Sequence, residues 1–431
     1  MNKRLLETTD KIEEVQVQKR KILIAAYACN PYSGSEQGVG WGWVSAIAEK
    51  HDVWVIAGAL YRNDIEKEIS KNADCCKNIR FYYVPRIRWL WLEKVWPPAY
   101  LWTYRIWQKE AYKLSVKLNE EIDFDIAHQL TYVGFRVPGY LWKLDIPFVW
   151  GPIGGLENTP WKFLTVMGLR GFIYYAGRNI INSLHKRYLS GPKMAFKKAH
   201  GGIIAATQGI RREILRWYGE ESDVICEIGP PPEVADSYSL REPGESLKLS
   251  WSGLHLPGKA LPLLLRAVAA LPDNFDWQSD ILGRGPLTKK WQKLAIKLGI
   301  DNRCNWAGWL SRDRAISIVH NSHIFVITSL KDLTSTVLLE ALSQGVPVIC
   351  PDHCGFSNVV TGDCGVKIPI ESPNQFVSDL SAAIRSLAEN EEERRRLAKG
   401  ALQRIKDFSW EKKAELVDSI YRRITASHRV N

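Results

Sequence analysis

No run of about 18 apolar residues occurs in this 431-residue chain, so nothing in it reads as a transmembrane helix. The opening stretch, MNKRLLETTDKIEEVQVQKR, is charged and lacks the apolar core of a secretory signal, so export by that route is not expected. Paired CxxC spacing is missing too. The eight cysteines stand at 29, 75, 76, 226, 304, 350, 354 and 364, which excludes a zinc ribbon or a dithiol redox motif and leaves reduced cytosolic thiols as the expectation. Cys350, His353 and Cys354 lie close together on a strand-exit loop, where they read as structural, and no metal is expected there. RNP, helix-turn-helix and zinc-finger patterns are absent, so the net charge of +11 is not read as nucleic-acid binding. It suits an anionic membrane surface or a phosphorylated substrate equally well. The dinucleotide fingerprint GxGxxG is also absent: the first loop, NPYSGSEQGVGWGW, spaces its glycines as GxxxGxG, and the second strand ends at Gly58 without an acid to hold a ribose.

What is present is an ordinary globular composition, 45% hydrophobic and 24% charged, in a chain too long for one typical core. From Lys21 onward, short β-rich runs (KILIAAYA, DVWVIAG, IRFYYV, FDIAH, IPFVWG) alternate with helical stretches. A Pro- and Gly-rich passage, residues 228 to 246, interrupts the pattern, which restarts with LKLSWSG, WQSDILG, RCNWAG, HIFVIT, GVPVIC and GVKIPI. The fold class is therefore α/β, with two doubly wound, Rossmann-like domains facing a central cleft in which ligand binds at the carboxyl ends of the strands. We place the first domain at 1–235, the second at 245–408, and at 409–431 a helix packing back toward the first.

Three loops invite an anionic ligand. Gly34, Gly38 and Gly40 follow the first strand and permit close backbone approach. Lys259 follows the first strand of the second domain, and Gly283 and Gly285 turn the chain after the next. In KDLTSTVLLEALSQGVPVIC, Val337, Leu338, Ala341 and Leu342 keep helical spacing, Ser335 is placed as N-cap and Gly345 ends the helix. Thr334, Ser335 and Thr336 thus surround the free N–H groups of a helix start, with Asp332 ahead of it and Glu340 on it.

In order and spacing, GxxxxxKAL, LGRGPL, NWAGWLSRD and DLTSTVLLEALSQGVPVI resemble the successive signatures of the retaining glycosyltransferases of family 4, over most of residues 246 to 370, and more loosely at NPYSGSEQGVGW and AATQGIRREILRWYG. The resemblance implies the GT-B architecture and transfer from a nucleotide sugar. The donor would lie on the second domain and a saccharide or lipid-linked saccharide acceptor on the first, with no cofactor beyond the co-substrate and no metal. Asp332 and Glu340 fall on the family's acid-x7-acid pair, the first facing the transferred sugar and the second the ribose. Lys259 would neutralise the leaving diphosphate, and Gly253, Gly283, Thr334, Ser335 and Thr336 would border the donor.

The chain departs from the family pattern in three places. Asp332 replaces the usual Glu, Leu254 stands where an Arg is usual, and VWGPIGG lacks a common His. His128 and His255 are the expected substitutes. The DFD at Asp123 to Asp125 imitates a metal-binding DxD but precedes a strand and reads as structural.

Trp89, Trp91 and Trp96 mix with Arg86, Arg88 and Lys94 without a helical stripe, which suggests contact with an anionic membrane and a cytoplasmic protein working at the inner face. By contrast Tyr100, Tyr104, Trp107, Ala111, Leu114 and Leu118 form a core-facing helical stripe. A second reading from a different class stays open: a non-catalytic GT-B-like partner that binds nucleotide or glycan within a polysaccharide assembly complex.

Overall fold

The computed structural model describes residues 19–86, 98–132 and 134–430. Trp89, Trp91 and Trp96, with the membrane contact expected of them, lie outside the described residues. The first sheet is built from β1 (Lys21–Ala26), β2 (Asp52–Gly58), β3 (Ile79–Val84), β4 (Ile126–Gln129), β5 (Phe148–Ile153), β6 (Ile203–Ala205) and β7 (Asp223–Val224). Its order is β3-β2-β1-β4-β5-β6-β7. The second contains β8 (Leu247–Ser252), β9 (Trp277–Leu282), β10 (Cys304–Gly308), β11 (Ile324–Val326), β12 (Val348–Pro351) and β13 (Gly365–Ile368), ordered β10-β9-β8-β11-β12-β13.

The strand pairs are parallel, for example Ile22 beside Val53 and Leu249 beside Ser279. Helices cover both faces of such a sheet, so strands inside it read as continuous buried runs, β2 from Val53 to Gly58 and β5 along its whole length, whereas β3 and β9 expose residues such as Arg80 and Gln278. Both sheets reverse direction beside their first strand, at β1/β4 and at β8/β11, and open sheets bind ligands at such switch points.

The helix Pro98–Ile122 turns Tyr104, Trp107, Ala111 and Leu118 into the first core. The closing helix, Trp410–Val430, lies on the first domain, burying Val417, Ile420 and Tyr421 in its core. Trp410 packs flat on Gly42 and Gly229, where a Cβ would come within 2.1 and 2.4 Å of the indole, so neither position accepts a side chain. Lys413 donates to the Cys226 carbonyl at 2.5 Å, pinning the exit of the first domain beneath this helix. Asp125 of the DFD triplet accepts the Lys21 N–H at 2.8 Å and so fixes the start of β1.

Candidate functional site

A cleft of about 910 Å³ opens between the two sheets, at the carboxyl ends of β8, β9, β10 and β11. Its floor is made by two glycine turns pressed together. Gly283 takes φ +107°, and a Cβ there would sit 2.0 Å from the Gly253 carbonyl oxygen, so only glycine fits. The Gly253 N–H donates to Leu282 O at 3.1 Å and Gly283 N–H to Gly308 O at 2.7 Å, which ties three strand ends into one surface.

Above that floor stand two acid–base pairs. Lys259 donates to Asp332, whose carboxylate also accepts from Ser329 Oγ at 3.3 Å. Thr328 Oγ1 holds the Lys259 carbonyl at 2.8 Å and itself receives the Trp251 indole N–H at 3.0 Å, so a buried aromatic sets the height of the loop that carries the lysine. Glu340 accepts from Arg312 Nε at 3.2 Å. Each carboxylate and each cation retains exposure toward the cleft, between 21% and 46% of its side chain, so these are pairs a polar ligand can open.

Between the two pairs starts the helix Thr336–Ser343. Ser335 is its N-cap residue but no side chain among the described residues caps it. Gly345, just past its other end, adopts φ +66°. An uncapped helix start flanked by Lys259 and Arg312 favours an anion, and the flanking carboxylates are hydrogen-bond acceptors suited to hydroxyl groups.

Asp332, Glu340, Lys259, Thr334, Ser335, Thr336, Gly253 and Gly283 all line this one cleft, and Leu254 lines it as well. His128 does not. It is fully buried, with Nδ1 2.7 Å from the Tyr421 hydroxyl and Nε2 3.0 Å from the Gly151 carbonyl oxygen, and burial pushes its pKa down to about 4. Its neutral ring joins the closing helix to the first sheet. His255 also points away from the cleft: it is buried among Trp251, Trp291 and Trp306, with Nδ1 2.7 Å from Thr288 Oγ1, and burial lowers its pKa.

The first-domain loop contributes Ser35, Glu36 and Val39 to the cleft wall, rather than Gly34, Gly38 or Gly40. Ser35 holds φ +58°, a strained value for a residue with a Cβ. Gly40 instead lets the helix Ser35–Ala48 sit on the Ala28 carbonyl, 2.0 Å from where a Cβ would be.

Sequence reasoning missed two residues here. Arg312 stood inside a quoted motif without a role, and only the fold brings it to Glu340. Glu227 comes from the end of the first domain and lines the cleft while only 5% exposed. Its carboxylate accepts the Thr334 N–H at 2.8 Å and its carbonyl the Trp43 indole N–H at 2.8 Å. Burial pushes its pKa up to about 7. It therefore ties the start of the helix Thr336–Ser343 to the opposite domain.

Residues 239–404 match the family model described as glycosyl transferases group 1. That stretch spans the whole second sheet. A D-inositol 3-phosphate glycosyltransferase of Corynebacterium glutamicum is 25% identical over 248 residues, 52% of this chain and 58% of that protein. The chain thus spans a little over half the length of this curated relative. Among solved structures, the lipopolysaccharide outer core galactosyltransferase WaaB in its apo form superimposes with a TM-score of 0.62 at 18% identity, covering 92% of this chain and 98% of WaaB. HepE of Anabaena in complex with UDP superimposes with 0.56 at 13% identity, covering 96% and 100%. The fold is GT-B, and the stretch that matches the glycosyl transferases group 1 model contributes most of the walls of the cleft.

Proposed function

We propose that the protein is a retaining, metal-independent glycosyltransferase that moves a hexose from a nucleotide sugar to a saccharide or lipid-linked saccharide acceptor in surface polysaccharide or glycolipid synthesis. One observation carries this reading: Asp332 and Glu340 stand on either side of an uncapped helix start in a single cleft, each already paired with a cation.

In this reading the diphosphate lies over the helix start, with Lys259 and Arg312 turning from their carboxylates toward it. The freed carboxylates accept from hydroxyls, Asp332 from the sugar and Glu340 from the ribose. As the bond between the sugar's anomeric carbon and the leaving phosphate oxygen breaks, its electron pair stays on the diphosphate. Lys259 and the helix dipole stabilise that developing charge without a metal. The acceptor oxygen then bonds to the anomeric carbon and its proton passes to the released phosphate. UDP is the first nucleotide to try, because HepE was solved with it, and the lipopolysaccharide role named for WaaB supports a surface-glycan acceptor.

One observation favours the non-catalytic reading: Leu254, apolar and exposed, takes up wall where a further cation beside Lys259 and Arg312 would strengthen the diphosphate site. Thermal stabilisation by UDP, GDP, ADP and CMP, followed by transfer assays with sugars of the stabilising nucleotide, separates the two. Stabilisation with turnover supports the enzyme. Stabilisation without any hydrolysis or transfer would support the binding partner.

A further inference from the structure

The helix Gly168–Tyr188 is turned inside out. Its buried side carries Asn179, Asn182 and Lys186. Asn179 exchanges hydrogen bonds with the Thr159 backbone at 2.9 and 2.8 Å, Asn182 donates to Leu156 O at 2.9 Å, and Lys186 donates to Leu156 O at 3.2 Å and pairs with Glu213. Its solvent side carries Leu169, Ile173, Ile180, Leu184 and Tyr188, a stripe at helical spacing that includes side chains 77%, 63% and 69% exposed at Leu169, Ile173 and Tyr188. A contiguous apolar face of this kind marks a surface that something else covers.

The charges around it say what that is. From Asn158 to Arg212 the sequence contains no aspartate or glutamate, while Arg170, Arg178, Arg187, Lys193 and Lys197 are all exposed. Beside the stripe lies a groove of about 460 Å³ whose walls include Leu101, Tyr104, Tyr132 and Tyr174, with Arg136 and Arg178 reaching it. Arg136 donates to His185 and Asn182, and neither arginine meets a carboxylate among the described residues. The groove opens close to the donor cleft. Tyr175 packs against Gly258 and Gly171 against Pro257, in the loop that carries Lys259.

We propose that this face seats a phosphorylated lipid presented by an anionic bilayer. The stripe enters the interfacial layer, Arg136 and Arg178 take the phosphate, and the hydrocarbon lies along the groove wall. The identification of that lipid as the sugar acceptor rests on the glycosyltransferase reading, whereas the lipid seat itself does not.

The test is co-sedimentation of the full chain with phosphatidylglycerol vesicles and with phosphatidylcholine vesicles. The variants are Ile173→Ser/Ile180→Ser/Leu184→Ser and Arg178→Ala, all at exposed positions, with UDP-induced thermal stabilisation read on the same samples. Wild type should partition onto phosphatidylglycerol, more weakly onto phosphatidylcholine. The triple variant should lose about tenfold or more of that partitioning, and Arg178→Ala should lose most of the preference for the anionic lipid. The UDP response should not change, which separates failure of the lipid seat from failure of the donor site. Equal binding of wild type to both vesicles, or undiminished binding by the folded triple variant, would overturn the proposal. So would a wild-type dimer that ignores vesicles and is dissociated by the same three substitutions, because the covering partner would then be a second copy.

Discussion

Two helices, Thr336–Ser343 beside the cleft and Gly168–Tyr188 beside the neighbouring groove, are built in opposite senses. The Thr336–Ser343 helix buries its apolar face, Leu338, Leu339, Ala341 and Leu342, and leaves Glu340 toward the cleft. The Gly168–Tyr188 helix buries asparagines and a lysine and leaves its isoleucines outside. A helix orients by what its neighbours offer. The first meets an apolar sheet, while the second meets loop carbonyls at Leu156 and Thr159 that need hydrogen-bond donors, which Asn179, Asn182 and Lys186 supply. The cleft side is thus a polar site on an apolar core, and the Gly168–Tyr188 side offers water an apolar surface.

The sharpest way to break this contrast is at the donor side. Lys259→Ala should lower kcat/KM by about 100-fold or more, as expected for one lost donor to the developing charge. Steady-state kinetics with the stabilising nucleotide's sugar decide this, and unchanged kinetics would remove Lys259 from the site.

On the opposite side, Asn182→Ala should destabilise the protein by about 1–3 kcal/mol, because Leu156 O loses a donor and Arg136 loses an acceptor in a buried setting. Denaturant melts measure it. Replacing exposed Ile173 with Ser should leave those melts within about 0.5 kcal/mol of wild type. The reverse ranking would mean that the apolar face is the one packed.

Glu227 links the two sides, and its expected effect is smaller and depends on pH. Its folded pKa, about 7, lies above the ordinary carboxylate value of 4.5 because burial disfavours the charge. The stabilisation it gives is therefore complete below about 4.5 and is lost as pH rises through about 7. Glu227→Gln keeps an acceptor for Thr334 and should flatten the fall in melting temperature between pH 5 and about 8. A wild-type profile already flat across that window would contradict the buried, protonatable carboxyl.

Smallest of all, Leu254→Arg should tighten nucleotide-diphosphate binding several-fold by adding a cation to a partly exposed wall. Titration calorimetry measures it. Weaker binding would indicate that Leu254 packs against the ligand.

Much of this was legible in the sequence where the deciding forces are local. The alternation of apolar runs with helical stretches pointed to two doubly wound sheets, since strands covered on both faces, such as β2 and β5, read as continuous apolar runs. The helix starting near Ser335 could be read from periodicity and its glycine stop. Contacts made across long separations could not. Glu227 meets Thr334 across 107 positions, and nothing around it marks a buried carboxylate. His128 ends a strand, where function and packing look alike until the ring is seen to reach Tyr421 across 293 positions. The inverted helix misleads for a different reason: an apolar stripe ordinarily means a buried one, and only the fold shows that the asparagines had the partners.

The most direct test of the donor site is calorimetry with the bare nucleotide beside turnover with its sugar, on wild type, Glu340→Ala and Asp332→Ala. If Glu340 holds the ribose and Asp332 the transferred sugar, Glu340→Ala loses nucleotide affinity, whereas Asp332→Ala binds the bare nucleotide normally and loses transfer. Normal nucleotide binding by Glu340→Ala, or wild-type turnover by Asp332→Ala, would contradict the assignment and leave that carboxylate as a partner of Arg312 or Lys259 alone.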